Sequence, residues 1–247
     1  QMMSGTHALY LTLGALLKHG DTLVSVSGEP YDTLRSVIGT AGDSRNSLIA
    51  NGVKYEQIDL IGSDFDLTAI EKRIRRGGVK LVEIQRSRGY ARRKSLSIDK
   101  IAAAIETVKA ADPAVIVMVD NCYGEFTEDR EPTHVGADIT VGSMMKNPGG
   151  GLAVTGAYCA GRADLINDVA ERLCAPMVGK SLGANLNQLT AFYKGLFLAP
   201  SVTRAALKSM VFAARLLELA GFEGIDPRYD EKRTDIVQTV DLNSAEN

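Results

Sequence analysis

The chain has 247 residues, 28 Lys and Arg against 30 Asp and Glu, and is 45% hydrophobic and 23% charged. These proportions are ordinary for a globular chain and exclude the disordered, collagenous and disulfide-rich miniprotein classes. With no excess of cations to gather phosphates, neither nucleic acid nor a polybasic membrane contact is an expected partner.

Three cysteines, Cys122, Cys159 and Cys174, form no CxxC pair, which points to a reducing compartment. No uninterrupted apolar run reaches the roughly 18 residues of a membrane span, and no signal peptide opens the sequence. The expected location is the cytoplasm. His7, His19 and His134 lack metal-ligand spacing, so no metal is expected. Both ends read as cut: Gln1 leads at once into a helix start, and Asn247 follows shortly after a strand-like run.

In chain order, Ser4-Gly5-Thr6 precedes the apolar run Ala8, Leu9, Leu11, Leu13, Leu16, Leu17, a helix-start pattern. The helix closes at His19-Gly20-Asp21. Thr22–Val26 reads as a short buried strand and Tyr55–Leu60 as a second. Asp66–Arg76 has helical spacing and ends at Gly77-Gly78. Lys80–Ile84 is a strand, followed by a basic loop and a helix from Ser97, its N-cap, to Ala111. Val115–Val119 is a continuous apolar, mostly β-branched run of the kind buried on both faces of a parallel sheet. Ile139–Val141 and Ala157–Cys159 add two strands. From Ala163 the pattern turns helical, with an amphipathic stretch over Val202–Ala220, and Asp235–Val240 reads as strand-like. Alternating strands and helices predict an α/β fold with a mainly parallel sheet and right-handed crossovers. The expected division is a large domain over 1–200, then a linking helix and the start of a smaller C-terminal domain over 201–247.

Ligands in such sheets bind outside the carboxyl ends of the strands, which directs attention to four loops. Asp120 directly follows the Val115–Val119 strand. An Asp there reads either as a cap or surface ion pair, or as a carboxylate holding a cationic ring nitrogen such as that of pyridoxal phosphate. Gly142-Ser143-Met144-Met145-Lys146-Asn147-Pro148-Gly149-Gly150-Gly151 follows. A lone Lys is ordinarily a solvated charge. One set among methionines before a glycine-rich turn is expected to be partly desolvated, with a lowered pKa suited to a Schiff base. Ser143 offers a hydroxyl for a phosphate. Ser4-Gly5-Thr6-His7 is either a plain cap or a phosphate-binding helix N-terminus. Tyr31, in Gly28-Glu29-Pro30-Tyr31-Asp32-Thr33, is either packing or a stacking aromatic.

These elements, in this order, resemble the fold-type I pyridoxal-phosphate enzymes of the cystathionine/methionine lyase (trans-sulfuration) group. Within it the chain is most similar to the aluminium resistance branch, described as cystathionine β-lyase-like and methionine γ-lyase-related. The marks are Ser4-Gly5-Thr6-His7-Ala8, Gly28–Leu34, Ile84-Gln85-Arg86-Ser87-Arg88-Gly89-Tyr90, Val119–Phe126, Gly142–Gly151 and Gly195-Leu196-Phe197-Leu198-Ala199-Pro200. The resemblance runs along essentially the whole chain.

It implies an aspartate aminotransferase-like large domain, pyridoxal 5'-phosphate as cofactor, and carbon–sulfur lyase action on a sulfur-containing amino acid. It implies that Lys146 forms the Schiff base, Asp120 pairs with the pyridinium nitrogen, Tyr31 stacks on the ring, and Gly5, Thr6 and Ser143 hold the phosphate. It further implies a substrate-carboxylate Arg near the carboxyl end and an amino-terminal segment of a neighbouring subunit, neither found in this sequence. A homodimer or homotetramer with sites at the subunit boundary is expected, with the Arg86–Arg93 loop and the glycine-rich turn near that boundary. A monomer is the alternative. Other fold-type I reactions, such as transamination or racemisation, share the same electron sink, and a cofactor-binding regulatory protein is a further alternative. Arg86, Arg88, Arg92 and Arg93 beside Tyr90 are read as a substrate or subunit contact rather than an RNA site. Cys122 is read as packing. Lys180, in Gly179-Lys180-Ser181, is the rival lysine.

Overall fold

A computed structural model describes residues 2–181, 183, 185–242 and 244. Six strands form one sheet: β1 (Thr22–Ser25), β2 (Lys54–Gln57), β3 (Val79–Gln85), β4 (Ile116–Asp120), β5 (Ile139–Ser143) and β6 (Ala157–Gly161), in the order β2-β1-β3-β4-β5-β6. The first five pair in parallel. β6 closes the edge antiparallel to β5, with Ser143 opposite Ala157, so the expected mainly parallel α/β sheet is the one observed.

The helices are α1 (Gly5–Leu16), α2 (Asp32–Ile38), α3 (Leu67–Arg75), α4 (Ile98–Ala111), α5 (Ala163–Leu173) and α6 (Leu189–Leu219). Ser4 caps α1 by accepting from the His7 amide, Asp66 caps α3 and Ser97 caps α4, as serine and aspartate do where a first turn leaves amides unpaired. Helices cover both faces of the sheet. Leu23, Leu81, Ile116, Met118, Ile139 and Val141 pack with α1, α2 and α5. Val24, Val82, Ile84, Val117 and Val119 pack with α3 and α4.

The face toward α1 changes character along the strands. Its apolar residues give way at the carboxyl ends to Ser25, Glu83, Gln85, Asp120 and Ser143, all buried. Adjacent parallel registers bring Gln85 opposite Asp120. Burying Leu9 and Leu13 of α1 completely contributes about 1.5–3 kcal/mol each and fixes the start of that helix over this polar end.

Two sequence expectations change. α6 starts at Leu189, well before Val202, and runs through Pro200; position 200/201 therefore lies inside one helix. Asp235–Val240 is not a strand. It belongs to a strap, joined to itself by a bridge between Asp226 and Thr239. No uninterrupted apolar run reaches about 18 residues, yet α6 is by length and composition long and apolar enough to cross a membrane, and little of it is buried.

Candidate functional site

The carboxyl ends of β3 and β4, the start of α2, the turn after β5 and the strap enclose a cavity of about 710 Å³. Tyr31, Asp120 and Lys146 all line it, with Gln85, Cys122, Tyr123 and Ile236–Thr239. That volume is within the range of small-molecule sites, about 300–1,000 Å³. Gly5, Thr6 and Ser143 do not line it but adjoin it. The Thr6 hydroxyl shares a 3.0 Å hydrogen bond with the Tyr31 hydroxyl. A Cβ on Gly5 would lie 3.2 Å from Ser143 Cβ and 3.3 Å from Cys122 Sγ. All six residues singled out in the sequence therefore meet at one end of the sheet.

Asp120 is buried, and Cys122 N donates to its Oδ1 at 3.1 Å. Burial pushes its pKa up, while the Lys146 charge and the Cys122 amide oppose that shift. Burial alone would pull the Lys146 amine down. The Cys122 sulfur, the Asp120 carboxylate and Tyr123 outweigh it, so the amine lies above its ordinary value. The lowered pKa expected from desolvation is thus reversed: an anion at the end of β4 keeps this lysine an ammonium. Burial holds the Cys122 thiol well above the usual range, as befits a packing residue. Tyr31 is pushed up to about 12 by burial and by Asp120, so its hydroxyl stays protonated.

Lys146 sits between Ser143 and a 3₁₀ turn over Asn147–Gly149. Asn147 Nδ2 donates to the carbonyls of Tyr123 (3.1 Å) and Glu125 (2.9 Å), tying the lysine turn to the aspartate loop. Tyr31 is held by its amide, which donates to Gln85 Oε1 at 2.8 Å. The strap is anchored where Asp235 Oδ2 accepts from Ser87 Oγ (2.9 Å) and the Arg88 amide (3.2 Å). Ser95 and Thr234 hydroxyls add a 2.7 Å bond.

Three guanidiniums of the basic loop are engaged within the subunit, whereas Arg92 is exposed and pairs with Asp241. Arg86 is fully buried, donating to Asn121 Oδ1 at 2.8 Å and pairing with Glu128 at 2.9 Å. Arg88 pairs with Asp226 of the strap, and Arg93 donates to the Gln85 and Ser87 carbonyls. These guanidiniums are spent inside the subunit, since a buried cation without partners is costly. Lys180 lines a separate, mainly apolar cavity with Met2, Met3 and Phe192. Among the described residues no group of three or more His, Cys, Asp or Glu side chains is placed to hold a metal.

Sequence reasoning missed Tyr123, Asn147 and Ile236–Thr239. The first two lie inside the motifs Val119–Phe126 and Gly142–Gly151 but were given no role there. The last carries no local signal, because only the tertiary fold returns it to β3.

Comparison with known proteins gives a consistent picture. The family model described as methionine gamma-lyase matches residues 1–247. The uncharacterized protein YnbB of Bacillus subtilis (strain 168) is 44% identical over 250 residues, spanning 100% of this chain and 58% of that protein. A crystal structure described as a carbon-sulfur lyase involved in aluminum resistance, from Clostridium novyi NT, is 44% identical with a TM-score of 0.94, over 99% of this chain and 58% of that one. The pyridoxal-5'-phosphate dependent protein YhfS from Escherichia coli, 21% identical with a TM-score of 0.64 over 89% of this chain and 53% of that one, shares the fold. The chain thus spans little more than half the length of these relatives.

Proposed function

Because the chain belongs to the methionine gamma-lyase family, we propose that it is the cofactor-binding part of a pyridoxal 5'-phosphate-dependent carbon–sulfur lyase acting on a sulfur-containing amino acid. The observation that carries this reading is the meeting of Lys146, Asp120 and Tyr31 in one cavity at the carboxyl end of a parallel sheet. The donor set fits the cofactor: an amine for its aldehyde, a buried carboxylate for its ring nitrogen, an aromatic ring for its face. For its phosphate there are the Gly5 and Thr6 amides in the first turn of α1, which precede any intrahelical acceptor, with the Ser143 hydroxyl beside them.

When bound, pyridoxal phosphate supplies an electron sink for charge developing at the substrate α-carbon. Asp120 would hold a proton at the cofactor's ring nitrogen, and its burial would strengthen that interaction. Lys146 would hold the cofactor through its Nζ, and the same amine, when free and uncharged, stands where it could take a proton from the substrate α-carbon. Tyr31 would cover the ring and, with its hydroxyl bonded to Thr6, is fixed by α1. The strap residues Ile236–Thr239 line one side of the cavity. The working unit in this reading is a cytoplasmic homodimer or homotetramer, supported by the exposed apolar side chains Tyr193, Phe197 and Phe212 on α6.

Borohydride reduction of the cofactor-loaded full-length protein, followed by peptide mapping, tests the anchor. The reduced cofactor is expected on Lys146; its appearance on Lys180 or Lys194 would overturn the reading. Assays with cystathionine, methionine and cysteine that detect keto acid and thiol then test the lyase, and aminotransfer without thiol release would replace it.

A further inference from the structure

Tyr123 holds an unusual conformation beside the reactive lysine. Its φ is +70°, the left-handed region that bulky side chains rarely enter. Such geometry persists only where the surroundings enforce it. Here Asn147, the residue after Lys146, enforces it, because its Nδ2 donates to the Tyr123 carbonyl at 3.1 Å and to the Glu125 carbonyl at 2.9 Å. The consequence is the position of the ring. Lys146 Nζ stands 3.8 Å from the centroid of Tyr123, well inside cation–π range.

Without that turn of the backbone, a side chain three residues beyond Asp120 would have no reason to face the same amine. The amine is thus gripped from two directions, by the Asp120 charge and by an aromatic face. Both belong to the loop that Asn147 ties to the lysine turn.

We propose that Tyr123 is a positioning residue for Lys146: its ring face holds the amine as an ammonium and aims it whenever it is not bound to the cofactor, and Asn147 maintains that arrangement. The inference rests on Lys146 being the reactive amine, but the ring contact is a property of the polypeptide and can be tested without turnover. The other titratable groups lining the same cavity are Asp120 and Cys122 from the β4 loop, Tyr31 and Asp32 from the start of α2, and Tyr90 from the β3 loop.

The test reads the pH midpoint of reductive methylation at Lys146 by mass spectrometry, in the full-length protein before cofactor is added. Cation–π attraction favours the charged amine, so removing the ring lowers the midpoint. Tyr123→Leu is expected to shift it down by about half to one pH unit, and Tyr123→Phe to leave it within about 0.2 unit of the parent. Replacing Tyr123 by pentafluorophenylalanine keeps the shape and reverses the ring's electrostatics, so it should act like leucine even if the leucine variant fails to fold. Asn147→Ala is expected to lower the midpoint and slow cofactor uptake, followed by absorbance, at least fivefold.

An unchanged midpoint with the fluorinated ring overturns the proposal. A shift in Tyr123→Phe equal to that in Tyr123→Leu also overturns it, by placing the effect in the hydroxyl. If the cofactor were instead found on another lysine, the proposed function would fail while these midpoints still reported on the ring.

Discussion

Gly195 of α6 lies against Gly149, in the turn that follows Lys146, so closely that a Cβ on Gly195 would stand 2.7 Å from the Gly149 carbonyl carbon and closer still to its oxygen. The neighbouring Gly150 takes φ +54° and would bring a Cβ 3.1 Å from Gly195 Cα. The glycine-rich turn is thus seated on a helix of its own chain. The Gly195-Leu196-Phe197 motif gains a physical meaning: α6 supports the lysine from behind.

Gly195→Ala is therefore expected to overpack this contact. A cost of about 1–3 kcal/mol would lower the melting temperature by about 2–10 °C for a chain of this size. Gly14→Ala is the control. A Cβ there meets only the Arg172 guanidinium, at 3.6 Å or more, and alanine in a helix interior gains about 0.5–1 kcal/mol over glycine. Paired thermal melts decide it. Equal melting temperatures for the two variants would mean that the turn yields freely.

Stability is expected to fall as pH rises through the neutral range. Glu125 is pushed up to about 8 by burial, and Glu83 to about 7 by the same cause. Each accepts from one hydroxyl, Glu125 from Tyr158 at 3.0 Å and Glu83 from Ser25 at 2.8 Å, and each has a second oxygen with no partner. A carboxyl whose folded pKa exceeds its unfolded one binds its proton more tightly when folded. Its contribution is complete below the unfolded value near 4.3 and disappears as pH climbs through 7 to 8. Glu125→Gln fixes the neutral form, so its melting temperature should drop less than the parent's between pH 5 and pH 9. Parallel curves for the two proteins would show that Glu125 does not titrate in that window.

The Asp120→Asn variant separates anchoring from electronics. The amide keeps the shape of the carboxylate but loses its charge, while Cys122 N can still donate to the side-chain oxygen. The reduced cofactor should still map to Lys146, whereas thiol release should slow by about 100-fold or more, the scale of a lost electrostatic partner in a dry site. Lys146 should also titrate at lower pH, since Asp120 is one of the groups raising it. Turnover at the parent rate would leave Asp120 as a cap on its loop.

Much of this site was legible because its parts lie beside strong local signals. Asp120 ends a continuous apolar, mostly β-branched strand, and Lys146 precedes three glycines, so both were placed without the fold. What sequence could not supply was contact at long separation. Arg86 and Arg88 read as an available basic patch, yet Glu128 and Asp226 come from distant positions to neutralise them. The sign of the Lys146 shift reversed for the same reason: burial is suggested by flanking methionines, but the compensating anion is a neighbour only across β4 and β5. The amphipathic pattern stood out only over Val202–Ala220, whereas α6 begins at Leu189 and continues through Pro200. The strand-like run Asp235–Val240 has no sheet partner among the described residues; the strap is held instead where Asp235 accepts from Ser87 and the Thr234 carbonyl accepts from Thr127.

Because α6 turns its apolar residues outward, its partner can be tested directly. Tyr193 and Phe197 are 71% and 84% exposed, and Phe212, Leu216 and Leu219 are 69%, 54% and 70% exposed. Spacings of four and three residues place each group along one stripe of the helix. An apolar stripe of this kind marks a contact surface. Lipid is the less favoured occupant, because Lys194, Arg204, Lys208 and Arg215 punctuate the same helix and charges are expensive inside a bilayer. A second copy meeting the stripe through a two-fold axis would bury both stripes at once, with the same residues on each side. The full-length protein is accordingly expected to scatter light as a dimer or tetramer, without detergent. Phe197→Glu together with Phe212→Glu should weaken that assembly at least tenfold, since each introduced carboxylate would be desolvated on association. Light scattering across a concentration series measures it. A monomeric parent, or a double variant that assembles unchanged, would assign the stripe to a different segment or partner.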